Sequence, residues 1–188
     1  MRADYKVVLD ANVLASYRVC NVFLKLAEPP RLFLPRWSNR ILDEVNTVHS
    51  QRLRPPWPEH LIESWQREVR MAFPDACVDN FECLIDDLTN DPQDRHVLAA
   101  AIRSGSDLIV TFNLKDFPEK ALSPWSIRAK HPQDYLTDLY WMAPEIVVNK
   151  VNKIAQDSNQ DLESVLLKLG KFVPNFSSLL IDKLDLSV

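Results

Sequence analysis

Two short runs in this chain, Val7-Val8-Leu9 and Leu108-Ile109-Val110, are apolar at every position. A strand with one wet face alternates apolar and polar residues, so an unbroken apolar run fits a parallel strand covered on both faces. Parallel neighbours cannot be joined by a tight hairpin; they need a crossover, usually a helix. The expectation is therefore an α/β fold in three layers, a central parallel sheet with helices on both sides. Each run also ends in a polar residue, Asp10 and Thr111, where open sheets of this kind build their ligand crevices.

The remaining segments fill in that scheme. Tyr5 to Asp10 forms the first expected strand, Leu32-Phe33-Leu34 the second and Ala76-Cys77-Val78 the third. Leu108 to Thr111 and Ser126 to Ala129 complete the set. One helix is expected from Ala11 to the Pro29-Pro30 stop. Another opens at Ser38 as N-cap, with Ile41, Leu42, Val45 and Val48 inward. Leu61, Trp65, Val69 and Phe73 recur at helical spacing. A further helix begins at Asn90 or Asp91 as N-cap and closes at Gly105, and one more runs from Pro132 to Tyr140. Beyond Trp141 no strand signal remains, and three amphipathic helical segments follow. Residues 1–140 are thus expected as the α/β unit and 141–188 as an all-α extension whose apolar faces must be covered by that unit or by another chain.

Composition narrows the chemistry. With a net charge of −4 the chain lacks the uniformly basic surface that gives general affinity for nucleic acid, although cations bound locally can still meet a phosphodiester. Two glycines leave no room for a glycine-rich phosphate loop. Three cysteines without paired spacing, Cys20, Cys77 and Cys83, point to reduced thiols and a cytoplasmic location. No apolar run is long enough to span a membrane. Arg52, Arg54, Arg67 and Arg70 form a local basic cluster that could contact an RNA backbone, the solvated helix face being the plainer reading. Trp57 and Trp65 read as packing residues.

Carboxylates stand out against this background. Asp10 ends the first strand. In the helix after Ser38, Glu44 projects toward the inner face while Asp43 points away. In the stretch Thr89 to Ile102, Val97, Leu98, Ala101 and Ile102 make one apolar stripe; Asp94 falls near its middle, with Asp91 one turn earlier and His96 off the stripe and exposed. A carboxylate facing a buried side is costly unless it caps the helix or meets a cation, and both options stay open for Asp91 and Asp94. Asp116, with Thr111 and Asn113, lies just past the strand ending at Val110, and Asn12 stands beside Asp10. Gathered acids repel and raise one another's pKa. A divalent ion with all-oxygen ligands, Mg²⁺ or Mn²⁺, removes that conflict, can lower the pKa of a bound water and can stabilise charge on a phosphoryl oxygen.

The blocks Val-Val-Leu-Asp10-Ala-Asn12-Val-Leu, Ser38-Asn-Arg-Ile-Leu-Asp-Glu44-Val, Asp91-Pro-Gln-Asp94-Arg-His-Val-Leu-Ala-Ala-Ala and Ile-Val-Thr111-Phe-Asn113-Leu-Lys-Asp116-Phe, in this order, resemble a PIN domain. They are similar in particular to the VapC-type ribonuclease toxins of bacterial toxin–antitoxin pairs. The likeness covers about residues 5–140. It implies that Asp10, Glu44, Asp94 and Asp116 are catalytic and metal-binding, with Asn12, Asp91, Thr111 and Asn113 supporting. It also implies a Mg²⁺- or Mn²⁺-dependent endoribonuclease acting on structured RNA such as tRNA or rRNA, often dimeric, and silenced by a cognate antitoxin. The helical extension exceeds a minimal PIN domain and bears on how a dimer or antitoxin would dock. A housekeeping RNA-processing nuclease and a catalytically silent binding module of the same fold are the alternatives. A phosphoaspartyl enzyme using Asp10 is a third, disfavoured because the chain has Asp10-Ala-Asn12 and no Asp-x-Asp there.

Overall fold

A computed structural model describes residues 5–186. At its centre lies a four-stranded, wholly parallel sheet built from β1 (Lys6–Leu9), β2 (Leu34–Arg36), β3 (Leu108–Val110) and β4 (Arg128–Lys130), in the order β2-β1-β3-β4. The α/β expectation holds. After β1 the chain crosses to one side and forms β2, then returns to place β3 on the other side of β1. The boundary between β1 and β3 is therefore the topological switch point, where the connections leave in opposite directions and a crevice opens past the strand ends. The register pairs Leu9 with Val110, so Asp10 and Thr111 emerge from the sheet side by side.

Three strand expectations shift in detail. Leu32 and Phe33 are buried in the core, and ladder bonding begins only at Leu34, whose N–H donates to the Tyr5 carbonyl. The edge strand β2 consequently contains Pro35, tolerated there because an edge residue can lack a ladder donor. The segment Ala76 to Val78 is not a strand: Cys77 makes one isolated parallel bridge to Trp37, and Asn80, at φ 59°, turns the chain away. The last strand starts two residues later than expected because Ser126 adopts φ 57°.

Helices cover both faces. Instead of one helix after β1 there are two, α1 (Ala11–Leu14) and α2 (Tyr17–Ala27), separated at Ala15-Ser16. Next come α3 (Asn39–Thr47), capped by Ser38 Oγ accepting from Ile41 N–H, and a π-helical turn, Val48–Arg52. They are followed by α4 (Glu59–Ala72) and α5 (Arg95–Ser104). On α4 the inward residues are Ile62 and Val69, and Leu61 is exposed. Gly105 ends α5 at φ 61°, a left-handed conformation that costs glycine little. A short α6 (Glu119–Leu122) precedes β4, and α7 (Pro132–Met142) follows it.

The helical extension consists of α8 (Pro144–Asp157), α9 (Leu162–Leu169) and α10 (Pro174–Lys183). It packs on the same chain: α8 and α9 lie against α2, while α8 and α10 lie against α7. Val147, Val151, Leu166, Phe176 and Leu180 belong to the same continuous core as Val7, Val8 and Leu9. Among the described residues no helix is long and apolar enough to cross a membrane. Because the extension and the sheet share one core, Phe176→Ala should cost about 3–5 kcal/mol. It should lower the midpoint of one global unfolding transition, followed by circular dichroism and by tryptophan fluorescence together. Separate transitions for the two probes would show that the extension folds independently.

Candidate active site

Past the carboxyl ends of β1 and β3 lies a cleft of about 490 Å³. Asp10, Asn12, Glu44, Asp91, Asp94, Asn113 and Asp116 all line it, with Arg52 and Lys115 as the cations at its edge. Seven of the eight residues singled out from the sequence thus face one space. The eighth, Thr111, lies just beneath, fully buried.

The floor is a closed hydrogen-bond cluster. Asp10 continues the β1–β3 ladder through its N–H to the Val110 carbonyl and is also the N-cap of α1. Its Oδ1 accepts from Ala11 N–H at 2.6 Å, and Oδ2 accepts from Asn12 Nδ2 at 2.6 Å and from Thr111 Oγ1 at 2.6 Å. Thr111 Oγ1 in turn accepts from Asn113 N–H at 2.9 Å and from Asn12 Nδ2 at 3.1 Å, and Asn12 Oδ1 accepts from Phe112 N–H at 3.1 Å. Burial pushes the Asp10 carboxyl up from its ordinary range, and the negative charge of Glu44 adds to this; the donors from Thr111 and Ala11 oppose it. Charge-assisted bonds of this length hold the carboxylate in one orientation.

The rim acids come from three other elements. Glu44 projects from α3 as expected, while Asp43 is exposed. Asp116 lies on the 3₁₀ turn Leu114–Asp116 after β3, and its carbonyl accepts from Asp91 N–H at 3.2 Å, tying the two acid-bearing loops together. Asp91 and Asp94 divide the two tasks that the sequence left open. Asp91 Oδ1 accepts from Gln93 N–H at 2.9 Å and so stabilises the turn that leads into α5. That helix begins only at Arg95, which makes Asp94, and neither Asn90 nor Asp91, its N-cap. Asp94 caps with backbone alone; its side chain accepts no capping hydrogen bond and is left for the cleft. Its carboxyl is pushed up to about 6, first by burial and then by the charges of Asp10, Asp116 and Asp91, with His96 acting in the opposite sense.

His96 differs from expectation: it is buried, at 1% exposure. α5 is enclosed nearly all round, with Val97, Leu98, Ala99, Ala100 and Ala101 all buried, so a residue off the apolar stripe is not thereby in water. The run of three alanines was the available signal, because small side chains let neighbouring elements approach from every side. His96 Nδ1 lies 2.9 Å from the Gln93 carbonyl, which can only accept, so Nδ1 carries the proton. Nε2 lies 3.2 Å from Glu44 Oε1. Of the basic cluster, Arg52 reaches the cleft, delivered by the π-helical turn. Arg54 folds back onto the Gln51 and Leu53 carbonyls, and Arg67 and Arg70 lie elsewhere on α4. Trp57 stacks on His49, with ring centroids 4.2 Å apart, and Trp65 meets the same ring edge-on, so both tryptophans pack.

Among the described residues no three His, Cys, Asp or Glu side chains form a ready-made metal cage. A hard divalent ion that keeps several waters and takes one or two carboxylates directly asks for less than that. The donor set suits such an ion: five acids against two cations, all-oxygen donors, and an Asp94 carboxyl raised by burial and then by its neighbours' charge.

The chain has recognisable relatives among known proteins. Residues 6–115 match the PIN domain family. The chain is also 38% identical, over 131 residues, to "Putative ribonuclease VapC50" of Mycobacterium tuberculosis (strain ATCC 25618 / H37Rv), an alignment covering 66% of this chain and 77% of that protein. No solved structure matches the chain significantly. With the parallel sheet, the switch-point cleft and a family match spanning most of the α/β unit, the chain belongs to the PIN domain family.

Proposed function

We propose that this protein is a Mg²⁺- or Mn²⁺-dependent endoribonuclease that hydrolyses phosphodiester bonds in structured RNA, and that it serves as the toxin of a toxin–antitoxin pair. The observation that carries the nuclease reading is the cleft itself, where five acids from four parts of the chain meet with too few cations to balance them. Support for the toxin reading comes from likeness to the VapC relative. On the same ground a cognate antitoxin is the expected inhibitor, a homodimer the expected assembly and the cytoplasm the expected location. Residues 1–140 carry the chemistry in this reading, and 141–188 form the extension that braces α2 and α7.

Asp10, Glu44, Asp94 and Asp116 would hold the metal. When bound, the ion supplies a water of lowered pKa and offsets charge on the phosphoryl oxygens. The chain's own residues do the rest. Asp10, fixed by Ala11, Asn12 and Thr111, sets the position of the site and has little freedom to exchange protons. Asp94, whose side chain makes no capping bond, is the acid free to accept the proton of the attacking water. Asn113 and Asp91 hold the cleft wall, and Lys115 and Arg52 meet the phosphates that flank the cut.

Purified protein with Mn²⁺ or Mg²⁺ should cleave tRNA or rRNA, and chelation should stop it. Asp10→Asn and Asp94→Asn should each lower the rate by about 100-fold or more. Cleavage that persists in the double variant would sink the nuclease assignment.

Stability has the opposite sign. The folded-state pKa of Asp94 lies above its ordinary 3.8, so the stabilising protonated form is fully present below that value and is lost as pH rises through about 6. Without metal, Asp94→Asn should therefore raise stability at pH 7.5. Solvent screening at this half-exposed group limits the gain to about 1 kcal/mol, or about 2–4 °C in Tm. The gain should shrink toward pH 4 in thermal melts across the range.

A further inference from the structure

A second recess carries positive charge and no acid. It has a volume of about 100 Å³ and opens between the first turns of α2, the end of α8 and α9. Arg18 of α2 and Lys168 of α9 line it with Tyr17, Asn21, Ser158 and Gln160, and its remaining walls are aliphatic. In a chain of net charge −4, two cations without a carboxylate stand out. Two acids close by are engaged elsewhere. Asp161 caps α9, its Oδ1 accepting from Ser164 N–H at 2.6 Å and its Oδ2 from Ser164 Oγ at 2.9 Å, and Asp157 pairs with Lys25 and Lys153. Lys168 Nζ donates to Gln160 Oε1, and neither cation of the recess is in an ion pair among the described residues. Tyr17, at the edge of the recess, is 59% exposed, and its ring meets Trp57 edge-on with centroids 6.1 Å apart. Trp57 stacks on His49 of the π-helical turn, the same turn that carries Arg52 into the cleft. In the other direction, only the short α1 and Ala15-Ser16 separate Tyr17 from Asp10. Tyr17 thus links the recess to the wall of the cleft.

We propose that this recess holds a backbone phosphate of the RNA substrate away from the cut, with Tyr17 as the platform on which an unpaired base between the two sites stacks. The proposal rests on the ribonuclease reading above and extends it to a substrate class, RNA with an unpaired stretch beside the cut. Guanidinium and ammonium groups meet backbone phosphates irrespective of sequence. A base can lie on an aromatic face only after leaving its own stack, which favours loops and single strands over duplex. With an acidic cleft, such a site supplies the backbone attraction that the cleft itself withholds. Lys168 belongs to α9, so the helical extension takes part in substrate binding as well as in packing. An acidic peptide would satisfy the two cations and leave the exposed ring unused.

The test is fluorescence anisotropy of a labelled, unstructured RNA of about 20 nucleotides, longer than a single binding groove takes up, with the full chain in EDTA so that metal-dependent cleavage is off. Arg18→Gln and Lys168→Gln should each weaken binding by about 3–5-fold and flatten the slope of log Kd against log salt by about 0.7. Arg18→Lys keeps the charge and should bind nearly as the wild type does. Tyr17→Ala should weaken binding by about 5-fold or more, and Tyr17→Phe, which keeps the ring, should not. With Mn²⁺ and tRNA the same three losses should appear in KM while kcat holds. Wild-type cleavage of tRNA with Kd and KM unmoved by Arg18→Gln, Lys168→Gln and Tyr17→Ala overturns this proposal alone. Polyglutamate bound as tightly as the RNA, with the same loss in Arg18→Gln, makes the recess an acidic-peptide site and overturns it too. So does inorganic phosphate that raises Tm in the wild type and not in Arg18→Gln, while the two bind RNA equally. RNA binding with the expected dependences but no cleavage keeps this site and removes the nuclease assignment. A wild type that neither binds the RNA nor cleaves tRNA overturns both together.

Discussion

The site depends on one pairing, the parallel contact of β1 with β3 that sets Leu9 against Val110. Slipping that register by one residue would turn every side chain of β3 to the opposite face. Thr111 would then no longer meet Asp10. With the register as it is, a fully buried hydroxyl and a nearly buried carboxylate share a hydrogen bond of 2.6 Å at the switch point of the sheet. Three donors offset part of the desolvation of Asp10, and burial still prevails. The fold therefore carries a charged group in its floor that it only partly compensates.

The rim repeats that conflict with less restraint. Asp94 sits at the first turn of α5, a place where aspartate ordinarily caps, yet its side chain does not. Asp91 takes over the local stabilisation through Gln93 N–H. The two acids, three residues apart, thus divide helix initiation from site chemistry. A sequence selected for stability alone would have no reason to leave the second carboxylate unpaired beside three others.

Much of this was legible in the sequence, for identifiable reasons. Val7 to Leu9 and Leu108 to Val110 announce themselves because strands buried on both faces cannot tolerate polar residues, and Ser38 and Gly105 mark helix ends by side-chain and backbone chemistry that leaves little choice. The side on which Glu44 projects follows from helical periodicity alone. Ala76 to Val78 misleads, since apolar content signals burial, and Ala76 and Val78 are indeed buried, yet the ladder there amounts to a single bridge at Cys77. His96 misleads in the other direction. Angle around a helix predicts exposure only when one side of the helix is wet, and α5 is enclosed by its surroundings, a tertiary fact that local spacing does not encode. The reach of Arg52 into the cleft depends on a π-helical turn that no propensity scale distinguishes from α-helix.

The link from Asp91 N–H to the Asp116 carbonyl runs from backbone to backbone. Replacing either side chain leaves it intact, so it is invisible to alanine scanning, and divergence of residue types in the two loops would not disturb it. What it does constrain is loop length. Insertions or deletions between Leu88 and Asp94, or between Thr111 and Phe117, would displace the tie, whereas substitutions at the same positions would be absorbed. Two acids distant in the chain are thereby locked to a common spacing by a contact that carries no residue identity.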